Sequence, residues 1–269
     1  MKRHYLFLRK IAPTGGWGGL EKLLLNWFRE IDICTYNRCE SLKDTLNSLL
    51  IQKCEGNFDY EVIVVDNNSK DGTKEVVKEY EERFKGRLKY LFEPRQGLSY
   101  ARNKGIKEAK GEIIAFTDDD CIVDREWLQN IWECFKRYKC DGLGGRVLPL
   151  YPENTPSWMK ENKDLLSGPI VSHDYGEEIK IYDLDKMVPA VGANMAFKKS
   201  CFKELGLFRE DIGAGKGMVG EDTEFFMRLL RKNKVLYYCG TALIWHKVEE
   251  KRMSLRYIGK WKFLEEEDI

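Results

Sequence analysis

From residue 31 onward the apolar positions switch between two periods. "IDICTY" (31–36) is a short apolar run with a polar end. In "ESLKDTLNSLLIQ", Leu42, Leu46, Leu49 and Leu50 recur at helical spacing along one face. "YEVIVVD" is continuously apolar, as in a strand buried on both faces. "GTKEVVKEYEERF" places Val76, Val77, Tyr80 and Phe84 on the inner side of a helix. "LKYLFE" predicts a third strand, "GLSYARNKGIKEA" a helix starting after Gly97, and "EIIAFTD" a fourth strand. The order β-α-β-α-β-α-β predicts an α/β fold with a mainly parallel central sheet and helices on both faces.

The second half is less regular. "GLGGRVLPL" predicts a strand. Residues 151–187 carry Pro152, Pro156 and Pro169 and read as a long loop with short elements, a lid in outline. "VPAVGANMAFKK" predicts a strand entering a turn, and "CFKELGLF" a short helix. "GAGKGMVGEDTEFFMRLLRKN" reads as a glycine-rich loop running into a helix. "VLYYCGTALIWH" predicts a pair of strands with Gly240 near their turn.

Composition narrows the function classes. The chain has 269 residues, 43% of them hydrophobic, enough for one large α/β domain or two small ones. Lys+Arg 45 against Asp+Glu 44 leaves a net charge of +1, which argues against a nucleic-acid binder. The eight cysteines form no CxxC pair and no zinc-ligand spacing, and read as reduced thiols in a cytoplasmic protein. No apolar run is long enough to span a membrane.

Ligands of open parallel sheets bind at the carboxyl ends of the strands. The polar clusters fall there: "TYNR", "DNNSKDG", "EPRQG" and "TDDDC" each follow a predicted strand. The last is the most demanding. Two like charges about 4 Å apart repel by about 4 kcal/mol at an effective dielectric of about 20. Asp118, Asp119 and Asp120 therefore need water, a proton or a cation. A solvated turn is the simplest account, since aspartate is common in turns. Convergence of four strand ends favours a site. Alternation along an extended segment would put Asp118 and Asp120 on one side and Asp119 on the other.

"ICTYNR", "VIVVDNNSKDGT", "EPRQGLSYARNKGI", "FTDDDC", "VGANMAF" and "GEDTEFFMRLLRK" with a later "WH" occur in this order. Together they resemble the family 2 glycosyltransferases of the GT-A fold, a Rossmann-like nucleotide-sugar-binding fold of inverting enzymes. The resemblance covers residues 31–246. It implies nucleotide-sugar binding by Thr35, Tyr36, Asn37, Asp66, Arg95, Arg102, Asp118 and Asp119. Tyr36 would pack on the base and Asp66 would accept from its N–H; a capping aromatic and a turn residue are the alternatives. The resemblance implies a divalent cation, Mn²⁺ or Mg²⁺, on Asp118, Asp120 and His246. Hard oxygen ligands and an imidazole suit such ions, although a lone histidine is often structural. Asp222 would be the catalytic base, with Glu221 orienting the acceptor. An acid in the first turn of a helix also stabilises that helix by about 0.3–1 kcal/mol, and both roles are compatible. Lys216 in the glycine loop would touch phosphate or acceptor, or stay in solvent.

Two segments stand apart. In residues 1–30, "YLFLRK", "GGWGG" and "LEKLLLNWFREI" resemble the opening strand, glycine loop and helix of a GT-B glycosyltransferase, a fold the chain is too short to complete. They read as a fusion or truncated-gene remnant. Asp32 then stands where a strand is usually apolar, so a shortened, disturbed first strand is expected. Over 251–264 basic residues interleave with aromatics, which suits a membrane surface or packing on the domain. The expected organisation is an extension over 1–30, a nucleotide half over 31–120, an acceptor half over 121–246 and a helical tail over 247–269. The implied partners are a nucleotide-diphosphate sugar and a saccharide or lipid-linked acceptor, with peripheral attachment at the inner face of the cell membrane and no nucleic acid. Two other readings stay open: a sugar nucleotidyltransferase, for which "CTYNRCESL" lacks the basic phosphate loop, and a catalytically inactive nucleotide-binding scaffold.

Overall fold

The computed structural model describes residues 30–54, 59–163, 165–214, 220–259 and 261. The GT-B-like segment before Glu30, Lys216 in the glycine loop and the last part of the tail lie outside the described residues. The strands are β1 (Glu30–Thr35), β2 (Glu61–Asp66), β3 (Leu88–Phe92), β4 (Ile113–Asp118), β5 (Cys121–Val123), β6 (Gly142–Leu150), β7 (Ile179–Ile181), β8 (Asn194–Lys198) and β9 (Leu236–Lys247). The helices are α1 (Cys39–Leu50), α2 (Thr73–Arg83), α3 (Leu98–Glu108), α4 (Trp127–Tyr138), α5 (Ser157–Glu161), α6 (Lys199–Leu205) and α7 (Glu221–Arg231).

The strands form one sheet in the order β3-β2-β1-β4-β8-β6-β9-β5, with β7 also pairing β9. β3, β2, β1 and β4 are mutually parallel; β8 runs against β4 and β6, and β6 is again parallel to β9. The continuous apolar runs divide by their period of two. Val62, Val64, Ile31, Ile33, Ile113 and Ala115 face one core, with Leu42, Leu46, Val77 and Phe135. Ile63, Val65, Ile114 and Phe116 face the other, with Ala101, Phe202, Phe225 and Phe226. Phe116 stands edge-on to Phe208, centroids 5.7 Å apart, within an aromatic cluster that seats α6 and α7.

The expected disturbance of the first strand is not found. β1 keeps an unbroken register with both β2 and β4, because a ladder is made by backbone groups. Asp32 is 2% exposed beneath α3, where a Cβ on Gly105 would lie 1.8 Å from Asp32 Oδ2. The missing side chain of Gly105 makes room for the carboxyl. Burial pushes Asp32 up to about 8, with the charge of Arg102 opposing, and its Oδ2 makes no hydrogen bond.

The expected strand pair at residues 235–246 is one strand. β9 runs twelve residues, and Gly240 lies within it. Its register on β6 jumps from Gly145↔Cys239 to Arg146↔Leu243, a bulge rather than a turn. A Cβ on Gly240 would sit 2.2 Å from the Gly176 carbonyl, so glycine lets the 151–187 segment cross the sheet closely. That segment carries α5 and β7 and has its own small core of Met159, Leu166, Ile170 and Val248. Met253 and Ile258 of the tail pack on this core, and Trp261 lies against Gly168. Leu255 is 75% exposed. No helix among the described residues is long and apolar enough to cross a membrane.

Candidate active site

The ends of β1, β2, β3 and β4 meet as the pattern predicted. Asn37 has φ 53°, a left-handed conformation that asparagine tolerates. It ties the first two strand ends together: its N–H donates to Ser69 Oγ at 2.9 Å, and its Oδ1 accepts from the Lys70 N–H at 2.7 Å. Asp66 is buried; Oδ1 accepts from the Ser69 N–H at 2.8 Å and Oδ2 from the Tyr90 hydroxyl at 2.7 Å. Asn67 reaches the third strand end, donating to the Arg95 carbonyl at 2.6 Å and accepting from the Gly97 N–H at 2.9 Å. Arg95 turns to Glu93, Nε to Oε1 at 2.9 Å, with its side chain 53% exposed. Tyr36 is 48% exposed.

These loops border a cleft of about 440 Å³ lined by Thr35, Tyr36, Asn67, the three aspartates 118–120 and His246 among others. A groove of about 900 Å³ lies at the opposite end of β4, around Ile113, Trp132 and several lysines. It holds none of the predicted site residues, so the smaller cleft is the candidate site.

The three carboxylates do not alternate along an extended segment. Asp118 ends β4, whereas Asp119 and Asp120 form the turn into β5. Arg38, just after β1, reaches across to both. Its Nη1 lies 2.5 Å from Asp120 Oδ2 and 3.2 Å from Asp119 Oδ1, and its Nη2 pairs with Glu249 at the start of the tail. Burial and the neighbouring Asp120 push Asp119 up to about 7, with Arg38 opposing. Asp118 turns the other way: its Oδ1 is 3.6 Å from Arg102 Nη2. Burial raises it too, against the pull of Arg102.

The residues that could hold a cation sit where β5 and β9 pair. The ligand atoms of Asp120, Cys121 and His246 all lie within 4.8 Å of one another, and all three residues are buried. Asp120 Oδ1 and His246 Nδ1 are buried without hydrogen-bond partners. A buried unpaired carboxylate oxygen is costly, and a divalent ion would satisfy it, so this corner fits a metal. Asp118 lies outside that group.

Arg102 is buried, with Nη1 on Glu221 Oε1 at 2.5 Å. It passes close to Gly192, where a Cβ would lie 2.2 Å from Nη2. Gly192 does a second thing: its N–H donates to Asp222 Oδ2 at 2.6 Å, while Oδ1 accepts from the Thr223 N–H at 2.8 Å. Asp222 is thus fixed at the start of α7, behind Gly220 in a left-handed conformation at φ 101°. Arg102 thus lies between Asp118 at the end of β4 and Glu221, the neighbour of Asp222.

Four participants were not singled out from the sequence. Arg38 was visible as the last letter of "TYNR", after a strand end. Gly192 carried no signal of its own. Cys121 read as one of eight reduced thiols, and Tyr90 only as part of the third strand.

The Glycosyl transferase family 2 model matches residues 31–206. The succinoglycan biosynthesis protein ExoM of Rhizobium meliloti is 26% identical over 234 residues, 87% of this chain and 71% of that protein. The glycosyltransferase AglE of Haloferax volcanii is 37% identical over 126 residues, 46% of this chain and 41% of its own length. Staphylococcus aureus TarS 1–349, solved with UDP-GlcNAc, superposes with a TM-score of 0.64 at 20% identity, covering 82% of this chain and 59% of that one. The Pyrobaculum calidifontis mannosyltransferase PcManGT, solved with GDP-Man and Mn²⁺, gives 0.63 at 19% identity, covering 88% and 60%. With its strand-end cleft, its sheet order and a family match over most of the described residues, the chain belongs to the family 2 glycosyltransferases and has their GT-A fold.

Proposed function

We propose that this glycosyltransferase moves a sugar from a nucleotide-diphosphate donor to a saccharide or lipid-linked acceptor, with inversion and with help from a divalent cation. The observation that carries the reading is Asp222, presented at a helix start and held by the Gly192 N–H at 2.6 Å. Both of its oxygens are oriented by backbone N–H groups, which leaves lone pairs for a proton. The acceptor oxygen attacks the anomeric carbon. The bond from that carbon to the diphosphate oxygen breaks and its electron pair leaves with the nucleotide. The acceptor proton passes to Asp222. One displacement inverts the centre, so one base suffices and no enzyme nucleophile is needed.

On the donor side, Thr35, Tyr36, Asn37, Asp66, Arg95 and Asp119 border or support the nucleotide, and Asp118 faces it from β4. Asp120 and His246, with Asp118 nearby, would hold Mn²⁺ or Mg²⁺, which when bound offsets charge on the departing diphosphate. Arg102 and Glu221 position the base. Residues 31–120 serve the nucleotide and 121–246 the acceptor. The name of ExoM supports a surface polysaccharide or glycolipid product, and the ligands of TarS and PcManGT support a nucleotide sugar. The basic and aromatic tail supports work at the inner face of the cell membrane.

The test is a thermal-shift screen against UDP, GDP, dTDP and CDP, each with and without Mn²⁺. A ligand at a hundredfold excess over Kd adds about 2.7 kcal/mol to apparent stability. A shift with one nucleotide, larger with metal, is expected and names the donor. Folded protein that responds to none of them would sink the reading.

A further inference from the structure

We propose that Cys121 is a third donor to the cation at Asp120 and His246, and that the site favours a borderline-soft divalent ion such as Zn²⁺ or Co²⁺ over Mg²⁺. The inference rests on the reading of this corner as a cation site, and it concerns which ion and which ligands. Cys121 is the first residue of β5 and stands directly opposite His246 in the antiparallel ladder with β9. Opposed residues project their side chains to the same face of a sheet. The Thr45 hydroxyl donates to the Cys121 carbonyl at 2.7 Å and fixes the backbone there. Asp120 precedes it in the chain and is only half used: Arg38 takes Oδ2, and Oδ1 makes no hydrogen bond although it lies 3.2 Å from His246 Nε2. The donor atoms of Asp120, Cys121 and His246 are mutually within 4.8 Å.

Ligands bound at ~2.0–2.3 Å to one tetrahedral ion lie roughly 3–4 Å from each other. The existing Asp120–His246 spacing of 3.2 Å already matches. One oxygen, one nitrogen and one sulfur make a donor set that suits Zn²⁺ and Co²⁺, whereas Mg²⁺ prefers oxygen alone. Three protein ligands leave a position open for a diphosphate oxygen, as catalytic sites of this kind do. Binding replaces the thiol S–H bond with an S–metal bond, and the proton leaves to solvent.

The measurement is a Co²⁺ titration of the full chain, with and without UDP, followed by the near-ultraviolet thiolate-to-cobalt charge-transfer band. The band is expected in the wild type, lost in Cys121→Ser and Cys121→Ala, and kept in Cys134→Ser. The last variant controls for a separate group of buried thiols, Cys134 with Cys140 and Cys239. Cys121 is a core residue, so a ¹¹³Cd resonance of the wild type gives an answer without any variant: a sulfur-shifted signal is expected. Cobalt that binds, seen in its visible bands, without a charge-transfer band would remove Cys121 while leaving the cation site intact. A band that survives in both Cys121 variants would also overturn the assignment. No binding of any divalent ion, with or without UDP, would remove the cation site together with this inference.

Discussion

Arg38 and Arg102 hold the acids of the cleft from opposite sides under different conditions. Arg102 has a side chain 4% exposed and pairs with Glu221, itself 5% exposed. Arg38 has a side chain 32% exposed and spreads over Asp119, Asp120 and Glu249. A buried pair is part of the fold: breaking it strands a charge away from water. A pair at the mouth of a cleft is exchangeable, because water, salt or a bound cation can take the place of the guanidinium. The contrast teaches that similar arginine–aspartate contacts serve different ends. Arg102 ties Asp118 on β4 to Glu221 beside Asp222, and on the proposed function Arg38 would set the charge that an incoming cation meets.

The largest expected effect tests what Arg102 positions. Asp222→Asn keeps the shape and removes the proposed base, so kcat should fall by about 10²–10⁴ while nucleotide binding, measured by calorimetry, stays close to wild type. Equal loss of binding would make Asp222 a structural cap. Next comes the buried arginine itself. Arg102→Met should destabilise the chain by about 3–5 kcal/mol in urea denaturation, with Glu221 and Asp118 left unpaired, and Mn²⁺ should not restore it.

The third test stays under α3. Asp32→Val removes a carboxyl that burial has pushed up to about 8 from an ordinary 3.8. Below about pH 4 the group is neutral in folded and unfolded chains alike. Between those values the folded chain keeps a proton that the unfolded chain releases, so stability falls as pH rises through the window, by up to about 1.4 kcal/mol per pH unit. The variant should therefore gain stability on the order of a few kcal/mol at pH 8, and the gain should shrink toward pH 4. A gain independent of pH would mean the carboxyl is ionised in the folded chain.

The smallest effect completes the comparison. Arg38→Ala should lower stability by about 1–2 kcal/mol without metal, since hydrogen bonds to charged groups contribute about 1.5–3 kcal/mol each and water enters the cleft. Saturating Mn²⁺ should recover most of that loss in a thermal melt, and the apparent metal affinity should rise. If metal recovers the Arg102 variant as well as the Arg38 variant, the two arginines do not differ in the way argued.

The strands and helices of residues 31–118 were legible because their signals are local. β2 reads as a continuous apolar run since both faces of a central strand are covered, and α1 reads through Leu42, Leu46 and Leu49 at helical spacing. β9 was misread as a pair because Gly240 and Thr241 look like a turn, and only the crossing of Gly176 explains the glycine. Asp32 looked like a defect, and the compensating space on Gly105 is 73 residues away. Asp118 and Asp120 stood out as acids crowded at a strand end, whereas His246 and Asp222 were singled out through the family resemblance.

The sequence by itself determined the α/β order, the edge on which the polar strand ends converge, and the chemical types gathered there. Side-chain periodicity and turn chemistry act over a few residues, so one dimension records them. Which acid pairs with which arginine was decided only in the folded chain. The turn at Asp119–Asp120 sends Asp120 toward Arg38 and His246 while Asp118 leans toward Arg102. Cys121 meets His246 through a strand pairing that spans 125 residues of chain. Contacts of that range depend on register and crossing, which no local pattern encodes.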